Sequence, residues 1–326
     1  MRNRDNSFDF IKGILIMLVV LGHALQWQYG EDCWNTWLFH FIYSFHMPLF
    51  LFVSGIFLKS CLKISFSEML VQRFRRLLVP AIIFTSILLI IRFISNNNTF
   101  TGLWDIYVVC RTYWYLICLF ILTAIYHIFF RGNRFVKTSI ISAYLLGLFF
   151  YKEIPPFILI DCQVIRMFLI VGLGAYYGMN KENIHKIKHR FLWVTGAKIL
   201  AIIEIICCRA YFGINLLAYP PIIRIVDGVI VSMAIFYICR LLYKCTMKYT
   251  PIVANHFITI GNLSLGIYLI HILFFKYLAY NKIQFEIISP SITIAALFIL
   301  SYIISIETTK TIKKHKVKKY LLGETK

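Results

Sequence analysis

Apolar runs of roughly twenty residues recur along the whole chain, each closed by a short polar gap, and this pattern makes lipid the main solvent of the fold. A helix that crosses a hydrocarbon core of about 30 Å needs about 20 mostly apolar residues. Such runs lie near 8–28, 37–58, 77–95, 113–130, 138–151, 157–178, 191–211, 222–243, 257–279 and 287–306; the fifth is the shortest. Backbone in lipid must satisfy its own N–H and C=O groups, so each run is expected to be helical. The expected architecture is an all-α, polytopic integral membrane bundle of about ten transmembrane helices. Residues 1–306 would form that bundle, and 307–326 a solvated basic tail drawn to anionic lipid. Only 15% of residues are charged and 60% are hydrophobic, whereas soluble domains carry about 25% charged residues.

The charges sit in the gaps. The second gap holds Lys59, Lys63, Arg73, Arg75 and Arg76, the fourth Arg131, Arg134 and Lys137, and the sixth Lys181, Lys186, Lys188 and Arg190. The first gap instead holds Glu31 and Asp32, and the third Asn96-Asn97-Asn98-Thr99. Basic residues thus alternate between sides, which puts both termini in the cytoplasm. Dropping the fifth run would break the alternation. The net charge of +20 is a topology signal and not a nucleic-acid face. Trp27, Trp34, Trp37, Trp104 and Trp114 fall near outer ends, as an aromatic belt does. Asp9 and Lys12 early in the first run, and bulky Leu25-Gln26-Trp27 late in it, argue against a cleaved signal peptide. The nine cysteines show no metal-ligand spacing and read as small buried hydrophobes.

An ionisable residue within a span is costly and marks a candidate functional site. Lys12 and His23 are about three helical turns apart, so they share a face and are separated by about 16 Å along the axis. Asp9 is placed to pair with Lys12. His23 lies in the outer half and is the candidate general base; the bland alternative is a hydrogen-bonded structural histidine. His46 lies about 13 Å deep in the second run, at a depth similar to His23, and is followed by Pro48, a source of kinks. His40 reads as structural, and His127, His185, His189, His256 and His315 as interfacial or solvated. Arg73, Arg75 and Arg76 have two readings: topology and lipid headgroups, or a clamp for the phosphates of a nucleotide-bearing donor. Arg166, with Asp161 and Gln163 nearby, is read as lining an outward cavity, and Arg224 as paired with Asp227. Glu204 lies inside the seventh run. No zinc-protease, nucleophile-elbow, phosphate-loop or dinucleotide motif occurs, and a primary pump lacks its ATP site.

Several of these segments have a familiar order. Asp9-Phe10-Ile11-Lys12-Gly13-Ile14, followed by Val19-Val20-Leu21-Gly22-His23, resembles the opening of the acyltransferase-3 family of membrane proteins. So do Phe45-His46-Met47-Pro48-Leu49-Phe50 running into Ser54-Gly55, and Arg73-Phe74-Arg75-Arg76-Leu77-Leu78-Val79-Pro80. Trp114-Tyr115-Leu116, Arg166-Met167-Phe168 through Gly172, and Gly261-Asn262-Leu263-Ser264-Leu265-Gly266-Ile267-Tyr268-Leu269-Ile270-His271 resemble later family elements in the same order.

The resemblance implies a ten-helix enzyme that moves an acyl group, acetyl above all, from cytoplasmic acyl-CoA to a hydroxyl of an extracytoplasmic glycan: a surface polysaccharide, glycolipid or peptidoglycan. It carries the family's first-helix histidine onto His23 and its basic partner onto Lys12, a departure from the commoner arginine. The paired arginines that open the third helix in some members meet Gln72 and Arg76 here, so the first is absent or displaced to Arg73. The expected catalytic set is His23, Lys12 and Asp9, and the substrate-binding set is His46, Arg73, Arg75, Arg76, Arg166 and Trp114, with no metal and no resident cofactor. The bacterial cytoplasmic membrane is the expected location. The rival reading is a secondary transporter or exporter of a polysaccharide or its precursor. That reading predicts inverted repeats with broken helices, whereas the family-like segments crowd the first eighty residues. A sensor or binding protein is a third reading, and no appended domain supports it.

Overall fold

A computed structural model of the protein describes residues 5–95, 103–151, 160–186, 221–281, 283 and 289–324. All regular structure among them is helical: α1 (Ser7–Tyr29), α2 (Trp37–Ile56), α3 (Leu58–Cys61), α4 (Phe66–Arg73), α5 (Val79–Ser95), α6 (Leu103–Cys110), α7 (Trp114–Arg131), α8 (Arg134–Phe149), α9 (Ile160–Lys186), α10 (Pro221–Tyr249), α11 (Pro251–Tyr280), α12 (Pro290–Lys314) and α13 (Lys318–Leu321). Among the described residues, seven segments are long and apolar enough to cross a membrane: Ser7–Asn35, Trp37–Cys61, Phe66–Ser95, Ile106–Arg131, Ile222–Tyr249, Pro251–Tyr280 and Pro290–Lys314. The protein is therefore an all-α polytopic membrane bundle.

These seven match the first four and last three apolar runs. The sixth run coincides with α9. The fifth coincides with α8, whose 16 residues extend about 24 Å, short of a core of about 30 Å. The seventh run, with Glu204, lies outside the described residues. Pro48 sits inside α2 without ending it.

The chain divides into two compact units. One comprises Met1–Ile42, Arg75–Trp114 and Cys239–Lys326; the other comprises Tyr43–Phe74 and Tyr115–Ile238. In the first, α1, α11 and α12 pack on one another, with α5 against α11. Helices α1 and α11 run parallel, since the Phe10 ring meets Phe257 and the His23 ring meets His271 further along both. Lipid offers no hydrophobic drive between helices, so close packing through small residues must hold them. Gly13 faces the Phe257 carbonyl, and Gly261 faces the backbone of Asp9. Asp5 opens α1 by accepting from the Ser7 amide at 3.2 Å, and Gly30, at φ 54°, follows its last turn.

The second unit uses the same device. Gly174 and Gly178, four residues apart on α9, face the carbonyls of Phe52 and Ile56 on α2, while Gly55 faces Val171. Around this contact the Tyr126 hydroxyl donates to the Phe168 carbonyl at 2.6 Å, and Phe52 meets Phe236 edge-on at 5.0 Å between centroids.

Candidate active site

The polar groups of α1 lie along the helix that packs most closely on α11. Asp9 is buried in the first turn, where a carboxylate is favoured by the helix dipole. The Lys12 ammonium reaches it at 2.7 Å, with side-chain exposures of 25% for the lysine and 4% for the aspartate. The pairing expected from the three-residue spacing is therefore made.

His23 lies further along α1 and is partly exposed. Its Nδ1 stands 3.2 Å from Gln26 Oε1. An amide oxygen accepts only, so Nδ1–H donates there and Nε2 is left as the basic nitrogen. The His23 ring centroid is 5.3 Å from that of His271 and 6.3 Å from that of Phe275, both on α11.

His271 is completely buried. Its Nδ1–H donates to the Ile267 carbonyl at 2.7 Å, which fixes the neutral tautomer with its lone pair on Nε2. That Nε2 has no hydrogen-bond partner, an arrangement that costs about 1–3 kcal/mol. The α11 backbone is tied at the same level, where the buried Tyr113 hydroxyl donates to the Leu269 carbonyl at 2.9 Å. The two imidazoles thus stand together on helices anchored by buried contacts. Sequence reasoning missed His271, although it closes one of the family-like segments and lies within the ninth apolar run. The cost of an ionisable residue inside a span, applied there as it was to His23, would have found it.

Arg75 and Arg76 are exposed and belong to a π-helical turn, Phe74–Leu78, that leads into α5. Such turns are frequent at functional sites, and the sequence pattern did not announce this one. The C-terminal segment lies against it. Gly323, at φ 61°, is seated on the Arg76 backbone, Leu322 is buried, and Glu324 pairs with Lys313 at 2.8 Å. Lys313 also donates to the Asn262 carbonyl at 3.0 Å. The tail is thus only partly the solvated segment expected, because its last leucine and glycine find a packing surface. Trp114 opens α7 and is partly exposed.

The other candidates belong to the second unit. His46 is buried, its ring edge-on to Tyr43 at 4.7 Å. Arg73 donates through Nη2 to Cys61 Sγ at 2.7 Å. Arg166 is partly buried on α9, two residues before Phe168. His127 is buried: its Nε2 stands 3.2 Å from the Ile64 carbonyl, which also accepts from Arg131 at 2.8 Å. A loop carbonyl that needs donors explains its position. Among the described residues, no three His, Cys, Asp or Glu side chains are grouped to hold a metal ion.

Residues 5–309 match the acyltransferase domain family. The chain is similar to nodulation protein NolL of Sinorhizobium fredii (strain NBRC 101917 / NGR234), with 38% identity over 138 residues, 39% of this chain and 38% of the relative. It is also similar to nodulation protein NolL of Mesorhizobium japonicum (strain LMG 29417 / CECT 9101 / MAFF 303099), with 37% identity over 149 residues, 43% of this chain and 40% of the relative. The matched segment spans about two fifths of the length of these curated relatives. No solved structure matches. Because the family match runs through nearly the whole sequence, from the turn before α1 into α12, the chain belongs to the acyltransferase-3 family of integral membrane proteins.

Proposed function

We propose that the protein is a multi-pass enzyme of the bacterial cytoplasmic membrane that moves an acyl group, acetyl in the first instance, from cytoplasmic acyl-CoA to a hydroxyl of an extracytoplasmic glycan. The observation that carries this reading is His23, held through Nδ1 by Gln26 on the helix whose first turns bear the Lys12–Asp9 pair, with a second imidazole beside it on α11. An imidazole with one nitrogen tied and the other basic is the equipment of a general base.

In this reading the coenzyme phosphates dock at Arg75 and Arg76 on the π-helical turn, with Arg73 contributing from the end of α4. The pantetheine arm reaches into the bundle. His23 takes the proton of the acceptor hydroxyl as that oxygen attacks the thioester carbonyl. Lys12, paired with Asp9, holds the donor or the helix. His46 and Arg166, both in the second unit, are proposed on sequence grounds to contact the acceptor, and Trp114 contributes to the acceptor surface. A closed bundle keeps water from the thioester.

The test is the ester-linked acyl content of the host's surface glycans with the gene intact, deleted, or carrying His23→Ala at matched membrane abundance. Loss of one ester in both altered strains is the expected result, and it identifies the acyl group and acceptor together. An ester that survives His23→Ala removes the general-base role. Unchanged esters on glycans that no longer reach the surface would replace this reading with export.

A further inference from the structure

Lys276 lies on α11, further along than His271, and is partly buried. A charged group inside a span is costly and is kept where it meets a partner or a ligand. Among the described residues, none gives Lys276 a hydrogen bond or an ion pair. Its charged neighbour has the same sign: Arg92 of α5 stands near enough to repel the ammonium. Arg92 is held over the Tyr280 ring, 5.0 Å from the centroid, and Tyr280 is one turn beyond Lys276 on α11. Ser95, one turn beyond Arg92, donates to Asn281 Oδ1 at 3.3 Å, which closes the ends of α5 and α11 on each other. Packing thus keeps the two cations together against their repulsion. An anion held by both would turn that repulsion into attraction.

We propose that Lys276 and Arg92 form a binding site for a phosphate group at the end of α5 and α11 that lies beyond His23 and His271. Lysine holds phosphate as a point charge and arginine as a fork. A phosphate monoester brings nearly two negative charges, enough to balance both cations, whereas a carboxylate balances one. Under the positive-inside rule this end faces outward, near the depth of the lipid headgroups. Two sources supply phosphate there: a lipid-linked glycan and an anionic phospholipid of the bilayer. As a seat for the acceptor, the site rests on the acyl-transfer reading and deepens it. A glycan whose phosphate is fixed at Lys276 is kept at the end of these helices toward which His23 lies. The Lys12–Asp9 pair sits at the opposite end of α1.

The test uses the full-length protein in dodecyl maltoside, a detergent without phosphate. Farnesyl phosphate is the probe, and farnesol is its uncharged counterpart. The rise in melting temperature with added probe gives the half-saturating concentration. Farnesyl phosphate should stabilise the parent, and farnesol should not. Lys276→Gln should need about ten- to a hundredfold more probe, the worth of one hydrogen bond to a charged group, and Lys276→Arg should bind nearly as the parent does. Without probe, Lys276→Gln should melt no lower than the parent, because it removes a repulsion and leaves no group unpaired. Phosphatidylglycerol that displaces the probe at equal concentration assigns the phosphate site to bilayer lipid; a probe that persists against an excess of it assigns the site to the acceptor. Three results overturn the proposal: no binding by the parent, equal binding by the parent and Lys276→Gln, or equal binding of farnesol and farnesyl phosphate. Probe binding needs no acyl transfer. A protein that binds through Lys276 but forms no acyl ester on surface glycan would sink the transfer reading alone, and one that forms the ester but does not bind would sink the site alone.

Discussion

The backbone carbonyl of Asp9 occupies the space in which a side chain on residue 261 would stand. Glycine at 261 is therefore what lets α1 and α11 approach closely enough for the Asp9–Lys12 pair and the His23–His271 pair to lie along one interface. In Gly261→Ala the new methyl meets backbone on the facing helix, which has no rotamer with which to yield. A loss of about 1–3 kcal/mol is expected, seen as a lower melting temperature in detergent, together with slower acyl transfer. Gly228→Ala is the control, since a Cβ there meets its neighbours only at 3.7 Å; its melting should match the parent. Equal melting in both variants would show that α1 and α11 are not held by this approach.

Gln26 should matter to rate and hardly at all to stability. Its side chain is exposed, and its carbonyl oxygen accepts from His23 Nδ1. Gln26→Leu removes that acceptor and lets the ring settle with the wrong nitrogen protonated. Transfer should fall about five- to tenfold, the worth of one hydrogen bond, with melting unchanged, and Gln26→Glu should retain the rate. Full activity in Gln26→Leu would mean that another group sets the tautomer.

Much of the helical framework was legible because its signals are local. Apolar run length gave α1, α2, α5, α7, α10, α11 and α12, since lipid penalises every alternative to a helix. Three-residue spacing gave the Asp9–Lys12 pair. The His23–His271 pair was not legible, because the two residues are far apart in sequence and only tertiary packing brings them together. The same holds for the contact of His127 with the Ile64 carbonyl, 63 residues away in the chain. The π-helical turn at Phe74–Leu78 has no periodicity of its own to read. The Gly174–Gly178 spacing was readable in principle as a small-residue helix contact, but one helix cannot tell which partner it meets.

The Asp9–Lys12 pair can be split into structural and catalytic parts. Lys12→Met leaves the Asp9 carboxylate buried without its ammonium, which should cost about 3–5 kcal/mol. The double variant Asp9→Asn/Lys12→Met removes both charges and should recover most of that stability. If Lys12 only steadies α1, transfer returns with stability in the double variant. If Lys12 holds the donor, transfer stays low although melting recovers. The proposed donor role requires the second outcome.

The seat of Gly323 on Arg76 gives the C-terminal segment a measurable position. Residue 323 has φ 61°, a region that costs a residue with a β-carbon about 1–2 kcal/mol, and the added atoms would meet the Arg76 backbone. Gly323→Val should therefore lift the segment off the π-helical turn. Trypsin cleavage at Lys318 and Lys319 should then be faster than in the parent. If coenzyme phosphates dock at Arg75 and Arg76, the KM for acetyl-CoA should change while kcat holds, because the tail touches the docking turn and not the imidazole pair. Faster cleavage with an unchanged KM would place the phosphates away from this turn. Unchanged cleavage would show that the tail does not depend on its contact with Arg76.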